Sequence, residues 1–221
     1  MNQKKTRFLV LCNANVNRSK LAVPIFETKL TRLGLEGHCE FESAGIKNSR
    51  APEHDYVNAS LRRANYPIIT DDRPRRVTAA MTAWADVIFT MNLEIRDYVT
   101  SKFATVGNIG RKTHILPHYG LPEESRKDNI FDPKDFMVSP HDRFGKDYPY
   151  MKRAASLSLL LLPASFACWA VDQFTNYVPT ANSGYSERTV ALYTRAIREL
   201  EPCIDGALAR MQQEGLLPKV K

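Results

Sequence analysis

Phe8-Leu9-Val10-Leu11-Cys12-Asn13-Ala14-Asn15-Val16-Asn17-Arg18-Ser19 is the stretch on which the fold turns. Arg7 to Leu11, apolar from Phe8 on, reads as a short buried strand. It ends at a cysteine, and an arginine and a serine follow after five more residues. From Ser19 to Leu33 the apolar residues Leu21, Ala22, Ile25, Phe26, Leu30 and Leu33 recur at helical spacing and form one face. Pro24 falls early in that segment, where a missing N–H costs least, and Gly34 is a stop signal. Cys39 to Ser43 reads as a second strand, closed by Ala44-Gly45. Strand, helix and strand in this order make a βαβ unit, whose crossover implies a parallel sheet.

Outward from this unit the pattern continues. Lys47 to Glu53 is a polar loop, and Asp55 to Ala64 is a modest helix with Val57 and Leu61 four apart. Tyr66 to Ile69 is extended and leads to a basic turn, Arg73-Pro74-Arg75-Arg76, of the kind usually found on solvated faces. Thr78 to Ala83 is a short helix before a third strand, Ala85-Asp86-Val87-Ile88-Phe89-Thr90-Met91. Asn92 is placed to cap a helix over Leu93 to Phe103, and Thr113 to Leu116 is the fourth strand. Pro117 to Tyr150 reads as irregular and is long for a passive connection, which suggests a lid or site wall. An apolar segment, Met151 to Val171, and a loop, Phe174 to Gly184, follow. Ser186 to Gln213 is the strongest helix, with Val190, Tyr193, Ile197, Ile204, Leu208 and Met211 in step; Pro202 is expected to kink or split it. The expected fold is α/β: three α/β/α layers around a small four-stranded parallel sheet, Rossmann- or flavodoxin-like, in a single domain over residues 1–221.

The 221 residues are 43% hydrophobic and 25% charged, ordinary for a globular chain with one core. The formal net charge of +7 favours anionic partners, but it is scattered, which argues against a nucleic-acid footprint. Cys12, Cys39, Cys168 and Cys203 form no CxxC pair and no zinc-like cluster, so no metal site is expected of them; nor is a cofactor expected. The apolar run after the N-terminus is too short for a signal peptide, and a reducing, cytoplasmic setting fits the free thiols. Ala154 to Val171 lacks charge but holds Pro163 and three serines. It suits a buried helix or hairpin better than a membrane span.

The chemistry lies in the opening loop. Five residues between a strand end and a helix start can curl around a tetrahedral dianion. Backbone N–H groups from Asn13, Ala14, Asn15, Val16, Asn17 and Arg18 would then point inward, and the Arg18 fork could hold two oxygens. Cys12 lies at the carboxyl edge of the sheet, where open parallel sheets place their ligands. A thiolate there, facing phosphorus inside a ring of donors, makes a phosphoryl-transfer site, with Ser19 as hydrogen-bond donor to the sulfur. A nucleotide-binding P-loop is excluded, because its glycines and Gly-Lys-Ser/Thr end are missing.

These residues resemble the low-molecular-weight protein tyrosine phosphatase family, whose loop is similar to V-C-x-G-N-x-C-R-S at a strand–helix junction. The likeness extends to Ser43-Ala44-Gly45, similar to the family's Ser-Ala-Gly, and to Ala85 to Met91, similar to its Ala-Asp-x-Ile-x-x-Met. The resemblance implies a cysteinyl-phosphate mechanism with Cys12 as nucleophile, Asn15 shaping the loop, Arg18 clamping phosphate and Ser19 assisting the sulfur. It implies a general acid in an Asp-Pro pair, best matched by Asp132-Pro133, with Asp128, Asp135 and Asp142 as rivals. Phe131, Lys134 and Phe136 fall where substrate would be contacted, with Tyr119 a further ring on which it could stack. The implied partner is a phosphorylated protein or small phosphomonoester, and a homodimer stays open.

Departures from the family pattern are equally definite. Ala14 replaces a glycine and would cost about 1 kcal/mol if that position needs a positive φ. Asn17 replaces a second cysteine, removing a disulfide partner for Cys12. Lys134-Asp135 stands where tyrosine phosphatases carry aromatics, and residues 137–185 form an inserted segment or subdomain. Arsenate reductases of the same fold need further cysteines after the third strand, and none lies between Cys39 and Cys168. Arginine phosphatases of the fold carry threonine where this chain has Val16. A non-catalytic phospho-ligand binder is the remaining alternative.

Overall fold

A computed structural model describes residues 5–47, 54–70, 73–133 and 187–219. Four strands, β1 (Thr6–Cys12), β2 (Cys39–Gly45), β3 (Val87–Thr90) and β4 (Thr113–Ile115), form one sheet in the order β2-β1-β3-β4. All three pairings are parallel, with Phe8 opposite Phe41 and Val87, and Cys12 opposite Gly45. β1 is central, and Phe8, Leu9, Val10 and Leu11 are wholly buried. That is why it is an unbroken apolar run rather than an alternating one.

The helices are α1 (Arg18–Arg32), α2 (His54–Arg63), α3 (Ala79–Trp84), α4 (Leu93–Lys102), α5 (Ile109–Lys112), α6 (Leu116–Gly120) and α7 (Glu187–Gln213). α1 packs on β1 and β2 and meets α2 and α7, whereas α4 packs on β3 and β4. The chain leaves β1 towards β2 on one side and reaches β3 on the other. Right-handed crossovers therefore send successive helices to opposite faces, and the carboxyl ends of β1 and β3 flank the point where they part. The resulting architecture is the expected α/β fold with a four-stranded parallel sheet. Between α1 and the sheet, Phe26 stacks on Phe41 and Phe89 at centroid distances of 5.3 and 5.7 Å, and Phe8 stacks on Phe41 at 5.0 Å. This aromatic layer sets the depth at which the start of α1 meets the end of β1.

Several local expectations are corrected. Pro202 does not split the last helix: α7 runs unbroken from Glu187 to Gln213, its apolar face buried against α1, α2 and α6. Packing outweighs the one backbone hydrogen bond a proline removes. Tyr66 to Ile69, expected to be extended, forms no helix, and Ile69 pairs its N–H and C=O with the Asn58 side chain. Part of the stretch expected to be irregular after Leu116 is helical, because Pro117 sits in the first turn of α6 and a short 3₁₀ turn, Glu123–Ser125, follows. α6 approaches α7 so closely that a Cβ on Gly206 would lie 1.6 Å from the Gly120 carbonyl oxygen. The expected caps hold: Asn92 Oδ1 accepts from Ile95 N–H at 2.9 Å, and Gly34 ends α1 at φ 68°. Residues 137–185, with the apolar segment 151–171, lie outside the described residues; so do Lys134, Asp135, Phe136 and Asp142. No helix among the described residues is long and apolar enough to cross a membrane.

Candidate active site

The loop from Cys12 to Arg18 lies between β1 and α1 at the carboxyl edge of the sheet. Cys12 Sγ is buried, 3.0 Å from Ser19 Oγ and 3.2 Å from the Asn15 backbone N–H that donates to it. Asn15 holds the loop in shape. Its φ of 55° is in the left-handed region, which asparagine tolerates better than most residues. Its Oδ1 accepts from Arg75 N–H at 2.9 Å, which fixes the orientation of the amide. Nδ2 then donates to Ser19 Oγ at 3.0 Å and to Ser43 Oγ at 2.9 Å. Because Ser19 Oγ accepts from Asn15, its own proton is left to point at the cysteine sulfur.

Ala14 does not carry the positive φ: the left-handed residue is Asn15, so the methyl group at 14 brings no such strain. The glycine that matters is Gly45. A Cβ there would meet Ala14 C at 2.6 Å and Asn15 N at 2.7 Å, so only glycine lets β2 touch the loop. Ile46 N–H donates to the Cys12 carbonyl at 3.2 Å and Lys47 N–H to the Asn13 carbonyl at 2.8 Å, closing that side.

Asn17, where the resemblance implies a cysteine, has its Oδ1 bonded by the Tyr193 hydroxyl of α7 at 3.1 Å. Val16 is buried. Arg18 is buried to 2% exposure and gathers the loop that follows β4 and α6. It pairs with Asp132 Oδ2 at 2.7 Å and donates to Asn129 Oδ1 at 2.7 Å and to the Ile130 carbonyl at 3.3 Å. Arg18 Nε and Asn13 Oδ1 are buried polar atoms with no hydrogen-bond partner.

The other predicted residues divide. Asp132 reaches the site through Arg18. Asp128 instead faces His118 at 3.4 Å and is 94% exposed. Phe131 is buried, with the Arg195 guanidinium 4.1 Å from its ring centroid. Tyr119 is buried against Phe89 and His114, with its hydroxyl bonded to Glu214. No group of His, Cys, Asp and Glu suited to a metal occurs among the described residues.

A family model for low molecular weight phosphotyrosine protein phosphatases matches residues 7–152, two thirds of the chain. The chain belongs to that family. This makes it a phosphatase, with the cysteine-based chemistry of the family. Among solved structures, a low molecular weight protein tyrosine phosphatase from T. tengcongensis is similar at 17% identity and a TM-score of 0.59, covering 93% of this chain and 99% of that one. A protein tyrosine phosphatase from Entamoeba histolytica, with Hepes in its active site, is 14% identical at a TM-score of 0.61, covering 96% and 100%. The YwlE arginine phosphatase from Geobacillus stearothermophilus is 18% identical at 0.58, covering 96% of each. At these identities the likeness is one of fold. A search of curated proteins finds no match.

Sequence reasoning about the phosphatase missed the Arg75 N–H, Asn129, Tyr193 and Glu199. The run Arg73 to Arg76 is the solvated face expected of it, with its arginines exposed, and its backbone also lines the end of β2: Gly45 N–H donates to the Arg75 carbonyl at 2.8 Å. A backbone role leaves no side-chain signature. Tyr193 and Glu199 belong to the apolar period of α7 or its flank, and only packing shows what they touch.

Proposed function

We propose that the protein hydrolyses phosphomonoesters on phosphorylated proteins, phosphotyrosine first among them, through a cysteinyl-phosphate. The observation that carries this reading is the placement of Cys12 Sγ between the Ser19 hydroxyl and the Asn15 N–H, in a loop that ends at the buried Arg18 with its unpartnered Nε–H. A buried unsatisfied donor costs about 1–3 kcal/mol, which a tetrahedral anion in the loop would recover. In the first step the Cys12 thiolate forms the S–P bond as the P–O bond to the leaving group breaks, and Asp132 gives its proton to the departing oxygen. In the second step water attacks phosphorus, its proton passes to Asp132, and the S–P bond breaks with Ser19 stabilising the thiolate. Arg18 and the amides from Asn13 to Arg18 hold the equatorial oxygens in both. Arg18 bonds Asp132 in the free enzyme, so substrate binding exchanges one anion for another at the same guanidinium, and the displaced Asp132 carboxylate takes up from the incoming monoanion or solvent the proton it then gives to the leaving oxygen.

A phosphoarginine reading has a structural neighbour in its favour. Val16 favours the tyrosine type, since it offers no hydroxyl where arginine phosphatases are read to carry a threonine. The buried free thiols of Cys12, Cys39 and Cys203 suit a reducing, cytoplasmic setting. The deciding experiment is rapid acid quench of wild type and Cys12→Ser with labelled p-nitrophenyl phosphate, followed by comparison of phosphotyrosine and phosphoarginine peptides. The reading expects a trapped phosphoenzyme in wild type only, and faster turnover of phosphotyrosine. No phosphoenzyme in wild type refutes the mechanism, and preference for phosphoarginine refutes the substrate class.

A further inference from the structure

The loop bearing Asp132 is held on three sides. At its start, Ile130 N–H donates to the Met91 carbonyl at 3.1 Å, and Asn129 forms a bridge with Asn92, which ties it to the end of β3. On the site side Arg18 binds Asn129, Ile130 and Asp132. The third hold comes from α7. Glu199 Oε2 accepts from Phe131 N–H at 3.0 Å, and the Phe131 ring lies under Arg195 with the guanidinium 4.1 Å from its centroid. Glu199 Oε1 faces Lys127 Nζ and Arg195 Nε, each at 3.6 Å. One carboxylate therefore bonds the Phe131 N–H, one residue before Asp132, through Oε2 and pairs with two cations through Oε1.

We propose that Glu199, with Arg195, is the positioning latch that sets where Asp132 delivers its proton. The inference rests on the phosphatase reading with Asp132 as the acid. Arg18 cannot serve as the only anchor, because a phosphate in the loop competes with Asp132 for it. When that exchange occurs, whatever holds the peptide at Phe131 decides where the Asp132 carboxyl comes to rest. Glu199 bonds that peptide from outside the phosphate loop, so its hold survives substrate binding. The exchange then needs only rotation of the Asp132 side chain, with the backbone kept in place. Glu199 is only 16% exposed, so its pairs are less screened than surface ones.

The test uses leaving groups of different basicity. A poor leaving group such as phenol needs the acid, whereas 2,4-dinitrophenol departs without it. Glu199→Ala is expected to lower kcat/KM for phenyl phosphate about 100-fold. For 2,4-dinitrophenyl phosphate the change should stay within about threefold, with inhibition by inorganic phosphate unchanged. Glu199→Gln keeps an acceptor for the Phe131 N–H and should fall between the two. Combining Glu199→Ala with Asp132→Ala should be no worse than Asp132→Ala alone, because a latch without an acid has nothing to place. Amide exchange at Phe131, followed by NMR, should accelerate in Glu199→Ala and leave the α7 core protected. Equal losses on both substrates, or additive losses in the double variant, overturn the latch and make Glu199 a general stabiliser. If Glu199→Ala does not fold, the same substrate ratio in Glu199→Gln decides. Wild type that turns over neither substrate through Cys12 overturns the phosphatase reading instead.

Discussion

Replacing Gly45 with alanine tests how tightly β2 is pressed against the phosphate loop. The added Cβ would lie 2.6 Å from Ala14 C, 2.7 Å from Asn15 N and 2.9 Å from Ala14 Cα. Carbon atoms in comfortable contact are about 3.5–4.0 Å apart, so one side must retreat by about 1 Å. β2 has nowhere to go. Gly45 N–H is bonded to the Arg75 carbonyl at 2.8 Å, and the Gly45 carbonyl accepts from Val77 N–H at 2.9 Å. The loop must move, and it carries Asn15, whose N–H points at the Cys12 sulfur. Overpacking of this size costs about 1–3 kcal/mol, or roughly 4–8 °C in Tm for 2 kcal/mol in a chain this long. A misplacement of about 1 Å in a catalytic site costs about 100-fold in rate. The assay is kcat/KM on p-nitrophenyl phosphate with phosphate inhibition and thermal unfolding in parallel. Gly37→Ala serves as control, since nothing lies within 4 Å of its added Cβ. Gly45→Ala with kcat/KM within about twofold of wild type and unchanged phosphate inhibition would refute the close-approach argument.

Other outcomes follow from the same geometry. Asn15→Ala loses hydrogen bonds to Ser19, Ser43 and Arg75 and leaves an alanine at φ 55°. It should cost about 2–4 kcal/mol in urea unfolding and lower turnover together with anion affinity. Gly206→Ala would drive a Cβ into the Gly120 carbonyl at 1.6 Å. The clash falls on the α6–α7 contact, so it should lower Tm by about 6–12 °C, read by calorimetry, with kcat per folded molecule nearly unchanged. Burial holds the His114 imidazole below its usual value, with a smaller opposing pull from Glu214. The unfolded chain then binds the proton first, so His114 contributes stability above about pH 6.5 that is lost as pH falls through its lowered folded value. His114→Phe keeps a ring against Tyr119, 4.7 Å away in the native protein, and should lose less stability than wild type between pH 7 and pH 5.

The strand, loop and helix around Cys12 were legible because their signals are local. A buried central strand must be continuously apolar, a helix must repeat its apolar face, and a loop that cradles an anion needs its arginine at the helix start. The same locality explains the errors. Pro202 looks like a break when α7 is considered alone, but burial of its apolar face against α1, α2 and α6 carries it through. Arg73, Arg75 and Arg76 are exposed, as a solvated run should be; what the run did not show is the backbone donor at Arg75, which has no side-chain signature.

By itself the sequence determined the parallel βαβ core, the Cys12-to-Arg18 loop and the family to which they belong, each through spacing within one segment. Tertiary structure alone decided which carboxylate meets the guanidinium. Asp132 pairs with Arg18 across 114 positions of sequence, while Asp128, four residues earlier, faces His118 in solvent. Tertiary structure also decided that Asn15 takes the left-handed turn, that Gly45 must lack a side chain, and that Glu199 of α7 grips the peptide beside Asp132. These depend on how closely separate segments approach, a distance that side-chain volumes set only once the whole core is packed.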